Sequence, residues 1–190
     1  MVVEIKLTKH NRDKYLQEFI NLEEEYLAKL KDFMKDEKLP NNFEDYTIEN
    51  FYFIWDVYKI TLKKPDVQVR RIEDLTDIET TNLPVCFSYH DYAKFRAWLH
   101  VDNLYIWLWF SFYIKNILKK YDNNFEWKIN IDDTTYNYMC WNHPVLVSNE
   151  KEVDSLYTLM IWSFQYSKND AYFIENEKNI LEKFWKVFLK

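Results

Sequence analysis

Four residues of this chain have the types and spacing of a metal site. Cys86 precedes His90 by four positions, and Cys140 precedes His143 by three. Two thiolates and two imidazoles would satisfy the tetrahedral coordination of zinc. Each cysteine, however, has an apolar residue on either side, which is typical of a cysteine buried as a small hydrophobic residue. A zinc-binding protein or a metal-dependent enzyme is therefore an alternative hypothesis, and our main expectation is a protein without cofactors.

The absence of glycine disfavours most nucleotide-dependent enzymes. None of the 190 residues is glycine, whereas about 7% is usual. P-loops, GxGxxG turns and GxSxG nucleophile elbows all need glycine in their tight backbone turns. We therefore expect no enzymatic activity. Left-handed residues at helix ends would have to be asparagine, and Asn41-Asn42 and Asn123-Asn124 are the candidates.

The elements that position these residues are predicted to be mainly helices. Apolar residues recur every three or four positions in one long helix from Asn11 to just before Pro40, and in a second from about Thr47 to Lys64. A third, from Leu104 to Lys120, is apolar on nearly all sides. A helix of this kind is typical of the centre of a bundle.

The remaining segments are shorter. Possible capping boxes at Ser88/Asp91 and Asn149/Glu152 each predict a helix start, and a last helix is expected after Asn169-Asp170. The stretch 65–84 lacks periodicity and is interpreted as an irregular connection. Residues 125–131 alternate strictly between apolar and polar types, which indicates a strand.

Together these patterns predict a mainly α, single helical domain over residues 1–190. We expect a helical bundle or stacked helix pairs, with room for a small β-hairpin near residues 125–141. The segments 48–52, 101–105 and 153–157 share one pattern, in which a β-branched residue is followed by an acid, a small polar residue, an apolar residue and tyrosine. This echo is compatible with a repeated helix pair or with a coincidence of composition.

The net charge of the chain and its expected cellular compartment restrict the kinds of partner it can have. The formal charge is −6 and only four residues are arginine, which disfavours nucleic acid and anionic membranes as partners. Two cysteines make no disulfide framework, and the N-terminus lacks the uncharged apolar core of a signal peptide. The most apolar stretch, 103–114, is shorter than the ~20 residues of a membrane-spanning helix. We expect a cytoplasmic protein.

Protein recognition remains the best-supported class. Acidic residues in the predicted connections, followed by aromatic residues, suit a basic partner, because charge accelerates encounter and aromatic side chains anchor interfaces. The opposing interpretation is that the aromatic residues belong to the core and the acids keep the protein in solution. The candidate partner-binding residues are Glu73, Asp74, Asp77, Glu79, Asp132, Asp133, Tyr136, Tyr138 and Trp141.

The first third of the chain has Arg12-Asp13-x-Tyr15 at the start of a predicted long helix, Glu23-Glu24-Glu25 within it, and an aromatic helix that ends in Leu62-Lys63-Lys64. In these features it resembles small, acidic, all-helical immunity proteins of bacterial polymorphic toxin systems. This resemblance implies stoichiometric inhibition of a cognate toxin by covering its active site. A phage or mobile-element accessory protein that binds a host factor is a further alternative, which charge and composition do not separate from the first.

Overall fold

Helices dominate the structure, a computed structural model that describes residues 12–62, 102–129, 144–149 and 151–189. Within these ranges the α-helices are α1 (Arg12–Ile20), α2 (Glu23–Phe33), α3 (Ile48–Thr61), α4 (Asp102–Tyr121), α5 (Ser155–Ser167) and α6 (Ala171–Phe188). A short 3-10 helix spans Phe43–Asp45, and the strands are β1 (Glu126–Ile129), β2 (Pro144–Ser148) and β3 (Lys151–Val153). The predicted mainly helical class with a small β element is confirmed.

Helix α4 lies at the centre of the described core. Its residues Leu108, Phe110, Phe112, Tyr113, Ile114, Ile117 and Leu118 are all fully buried. They point in every direction around the helix, and α2, α3 and α5 pack against it. The central position predicted from its apolar sequence is confirmed.

Aromatic contacts join the other elements to α4. The Phe112 ring lies 4.8 Å from that of Phe19 in α1 and 5.5 Å from that of Trp127 in β1, measured between ring centroids. On another side of α4, Phe110 stacks on Phe51 of α3 at 4.9 Å. Pairs of this kind contribute about 0.5–1.5 kcal/mol each beyond the burial of their area, so the aromatic residues orient the helices as well as fill the core.

The three strands form an antiparallel sheet in the order β1-β2-β3. Strand β1 confirms the strand predicted from alternation, since Trp127 and Ile129 are buried while Glu126 and Lys128 are exposed. Its partner β2 begins at Pro144, just beyond the range expected for a hairpin. The capping box predicted at Asn149 and Glu152 is wrong. Asn149 instead lies in the tight β2–β3 connection with a positive φ of 49°, and Glu152 pairs with Val147 in the sheet.

The single long helix predicted before Pro40 is two helices. Helix α1 ends at Ile20, where the Leu22 amide donates to the Phe19 carbonyl at 3.1 Å in a tightened final turn. Helix α2 then starts at Glu23 and ends at Phe33. Apolar spacing continues across the break, so periodicity alone did not reveal it.

Asparagine replaces glycine at two of the three positive-φ positions among the described residues, but not at the positions predicted. These positions are Tyr46, Asn149 and Asn169. The predicted pairs are held in other ways. The Asn50 side chain donates to the backbone carbonyls of Asn41 and Asn42, and Asp122 Oδ1 accepts from the Asn124 amide at 3.0 Å.

The sequence echo has a counterpart in burial. Its small polar position is Asn50 in α3, Asn103 in α4 and Ser155 in α5, and all three side chains are buried. The helices nevertheless begin at different places within the pattern, because α3 starts at its first residue and α5 at its third. The true-repeat hypothesis stays a prediction.

A polar cluster is enclosed where α3, α4 and α5 meet. Trp107 Nε1 donates to both Tyr58 Oη at 2.8 Å and Ser163 Oγ at 2.9 Å, and these two hydroxyls are 3.1 Å apart. Ser163 Oγ in turn donates to the Leu159 carbonyl at 2.6 Å. Buried polar groups are stable only when paired, so this network favours one relative placement of the three helices.

Because the Trp107 indole donates to two hydroxyl groups, we predict that the stability losses from removing each of them do not add. Either Tyr58→Phe or Ser163→Ala leaves Trp107 one acceptor, and each should cost about 1–2 kcal/mol in the free energy of unfolding. The double variant leaves the indole unpaired and should exceed the sum of the two by at least ~0.5 kcal/mol. Urea unfolding measures these costs, with Tyr172→Phe, at a residue 70% exposed, as a control expected to match wild type. Strict additivity would contradict the shared-acceptor geometry.

Alkaline pH should destabilise the fold through buried tyrosines. Burial raises the pKa of Tyr113 from 10.0 to about 12, and burial raises the pKa of Tyr58 further. Between about pH 10 and 12 the unfolded chain releases these protons and the folded chain keeps them. The free energy of unfolding therefore falls as pH rises through this window, by up to about 1.4 kcal/mol per pH unit for each tyrosine. Tyr113→Phe should show a shallower fall in urea unfolding above pH 10 than wild type, and equal slopes would disprove the assignment.

Candidate functional site

The residues predicted from sequence to bind a partner lie outside the part of the chain that the structure describes. These are Glu73, Asp74, Asp77, Glu79, Asp132, Asp133, Tyr136, Tyr138 and Trp141. The candidate metal ligands Cys86, His90, Cys140 and His143 lie outside it as well. Both sets stay predictions.

A groove between α3 and α6 is the candidate functional site among the described residues. The two helices run antiparallel, because Phe51 near the start of α3 contacts Trp185 near the end of α6, and Lys59 near the end of α3 pairs with Glu177. The groove has a volume of about 300 Å³. It is lined by Tyr52, Trp55, Asp56, Glu177, Lys178 and Leu181.

The groove has an apolar floor between polar walls. Trp55 and Leu181, at 1% and 3% exposure, form the floor. Tyr52 and Asp56 come from α3 and are four residues apart, so they share one face of the helix beside Trp55. Lys178 is exposed and comes from α6. A ligand here would cover aromatic and aliphatic surface while meeting charge from both helices.

Both carboxylate oxygens of Glu177 accept hydrogen bonds from other residues of the protein. Its Oε1 accepts from Trp55 Nε1 at 2.5 Å and lies 2.8 Å from Lys59 Nζ, while Oε2 accepts from Lys59 at 2.9 Å. Burial by itself would lower the pKa of Lys59, but hydrogen bonds to Asp56 and Glu177 outweigh it and leave the pKa raised. Lys59 therefore stays charged and fixes Glu177 in the groove wall.

Asp56 is the accessible carboxylate of the groove. Its side chain is 68% exposed, and its Oδ1 lies 2.7 Å from Lys59 Nζ. Two further carboxylates are close, since burial and then the charges of Glu182 and Glu49 raise the pKa of Tyr52. The negative charges around Tyr52 therefore come from both helices, Glu49 from α3 and Glu182 from α6.

Exposed apolar side chains follow the groove toward one end. Ile60 lies one helical turn beyond Asp56 on α3 and is 85% exposed, and Ile174 lies one turn before Lys178 on α6 and is 43% exposed. Residues four apart share one face of a helix. These two isoleucines therefore continue the groove's faces and add apolar surface beside the carboxylate.

The lining residues of the groove supply two carboxylates, an ammonium, a phenol and apolar surface, and no thiol, imidazole or serine hydroxyl. Of the two carboxylates, that of Glu177 is occupied by Trp55 and Lys59. Within the described ranges, no three or more His, Cys, Asp and Glu side chains come together as a metal site, and no helix has the length and apolarity to cross a membrane. The Tyr58–Trp107–Ser163 cluster is buried and internally paired, as a structural network would be.

Sequence reasoning missed this groove. The one available indication is Asp56, the only acid after Glu49 in a helix whose residues are mostly apolar or aromatic. Its meaning depends on α6, which lies more than 110 residues further along the chain.

Comparison of the chain with protein-family models, with curated proteins and with solved structures finds no match.

The fixed Glu177 should matter more for stability than an exposed ion pair. Glu177→Gln removes the charge opposite Lys59, whose side chain is only 14% exposed, and should lower the free energy of unfolding by about 1–2 kcal/mol. The matched control is Glu25→Gln, which breaks the exposed pair of Glu25 with Lys29 and should cost no more than about 0.5 kcal/mol. Equal losses in urea unfolding would show that Glu177 is not held as described.

Proposed function

We propose that this protein is a non-enzymatic binding protein that inhibits a basic protein partner, as an immunity protein neutralises a cognate toxin. The observation that carries the proposal is the α3–α6 groove, in which the exposed carboxylate of Asp56 stands beside a floor made by Trp55 and Leu181. Interfaces are anchored by aromatic residues in desolvated pockets. Charged residues at the rim of such a pocket favour a partner of the opposite charge.

The charge of the whole chain supports a basic partner. At a formal charge of −6, the protein attracts cationic surfaces over about 10 Å at 0.1 M salt. Such attraction accelerates encounter without catalytic machinery. The acidic residues predicted at Glu73, Asp74, Asp77, Glu79, Asp132 and Asp133 would extend the same field.

The resemblance of the first third to acidic helical immunity proteins supplies the mode of action. A protein that blocks an enzyme by covering its active site needs a stable, prepositioned surface, because ordering loops on binding lowers affinity. Helices α3 and α6, joined by the Lys59–Glu177 pair, offer such a surface. Inhibition by coverage is thus the mechanism we propose.

Co-expression with the product of the adjacent gene tests the proposal. We expect that product to be basic and toxic alone, to be tolerated when this protein is present, and to co-purify with it. The association rate should fall as salt is raised from about 0.05 to 0.5 M, because screening removes the electrostatic attraction.

Purified protein that retains no basic partner at low ionic strength, together with unrelieved toxicity in the co-expression strain, would refute the proposal. The control strain carries this protein with Lys59→Ala and Glu177→Ala, which removes the ion pair between α3 and α6. Circular dichroism verifies that this variant is folded before protection is compared.

A further inference from the structure

We infer that the α3–α6 groove receives an arginine side chain of the partner, with its guanidinium at Asp56 and its stem on the apolar floor. This inference rests on the proposed function, since it names the chemistry that the same site recognises. The groove's shape, its charges and the apolar residues at its end each bear on the choice of arginine.

The size of the groove fits one long side chain. Its volume of about 300 Å³ is at the lower end of the range of ligand pockets, about 300–1,000 Å³. The floor made by Trp55 and Leu181 is apolar, and Tyr52 stands at its side. Basic side chains bury their aliphatic stems on such surfaces while the charged head stays polar.

The exposed carboxylate of Asp56 favours a cation. Its Oδ1 lies 2.7 Å from Lys59 Nζ, and the side chain is still 68% exposed, so a basic group of a partner can reach it from solvent. Glu49 and Glu182 add negative potential at Tyr52. Glu177, in contrast, is already shared by Trp55 and Lys59.

Arginine fits better than lysine for two physical reasons. A planar guanidinium is less strongly hydrated than an ammonium and stacks on aromatic faces, here that of Tyr52. It also donates from several nitrogens in one plane, so it can reach Asp56 while its stem remains on the floor. Apolar residues beside the arginine would cover Ile60 and Ile174, the exposed isoleucines that continue the groove.

Lys178 provides a way to distinguish a cationic occupant of the groove from an anionic or zwitterionic one. It lines the α6 wall opposite Asp56 and would repel a cation in the groove. Removing this ammonium should therefore strengthen binding of arginine, whereas it would weaken binding of an anionic or zwitterionic ligand. The direction of the change identifies the charge of the occupant.

The experiment uses the full chain labelled with 5-fluorotryptophan and the probe acetyl-Leu-Arg-Leu-amide. The fluorine signal of Trp55, assigned by its loss in Trp55→Phe, is followed by NMR during titration. We expect it to shift with the arginine probe, less with the lysine analogue, and not with the citrulline analogue, which is uncharged and nearly isosteric. Asp56→Asn should weaken binding about tenfold, while Lys178→Ala should strengthen it about twofold to threefold.

The matched control is Glu25→Gln, which removes an exposed carboxylate of a lysine pair on α2 and should leave probe affinity unchanged. Equal shifts from the arginine and citrulline probes, or weaker binding by Lys178→Ala, would overturn the inference. So would a Trp55 signal that no arginine probe moves.

The two proposals fail separately. If the basic partner co-purifies and protects but the arginine probe leaves Trp55 unmoved, the arginine site is refuted and the inhibitory function stands. If the arginine probe binds as expected but co-expression gives no protection, the inhibitory function is refuted and the groove's preference for arginine stands.

Discussion

The structure depends on burying a helix that is apolar on nearly every side. Most of helix α4 is costly to expose to water, because each Å² of exposed apolar surface costs about 25 cal/mol. Helices α2, α3 and α5 therefore pack around it, and Phe112 brings α1 and β1 into the same cluster. The positions of the outer elements follow from the need to enclose this one.

An aromatic core leaves few ways to pair buried polar groups, and the chain pairs several of them through shared partners. Trp107 bonds to both Tyr58 and Ser163, and Asn50 holds the carbonyls of Asn41 and Asn42. The Asn50 contacts hold the 41–42 loop against α3, and the Trp107 contacts join α3, α4 and α5. Separating these elements would leave buried polar groups without their partners.

The groove forms where α6 packs against helices that themselves surround α4. Helix α6 contacts α5 and lies antiparallel to α3, which it contacts through Trp185 and through Glu177. Between these two contacts the helices leave a cleft over Trp55 and Leu181. Glu177 is held inside by Trp55 and Lys59, so the exposed charges that line the groove are Asp56 of α3 and Lys178 of α6.

The sequence by itself determined the helical class, the central position of α4, the β1 strand and the starts of α3 and α6 at Thr47 and Asp170, because hydrophobic period and capping residues act locally. Only the tertiary structure decided the break at Leu22 and the strand pairing of Glu152, since apolar spacing is the same on both sides of the break and pairing needs a distant partner. The groove likewise could not be predicted from the sequence. Asp56 and Glu177 become neighbours of Lys59 only when α6 packs on α3, and no local pattern records which distant helices will meet.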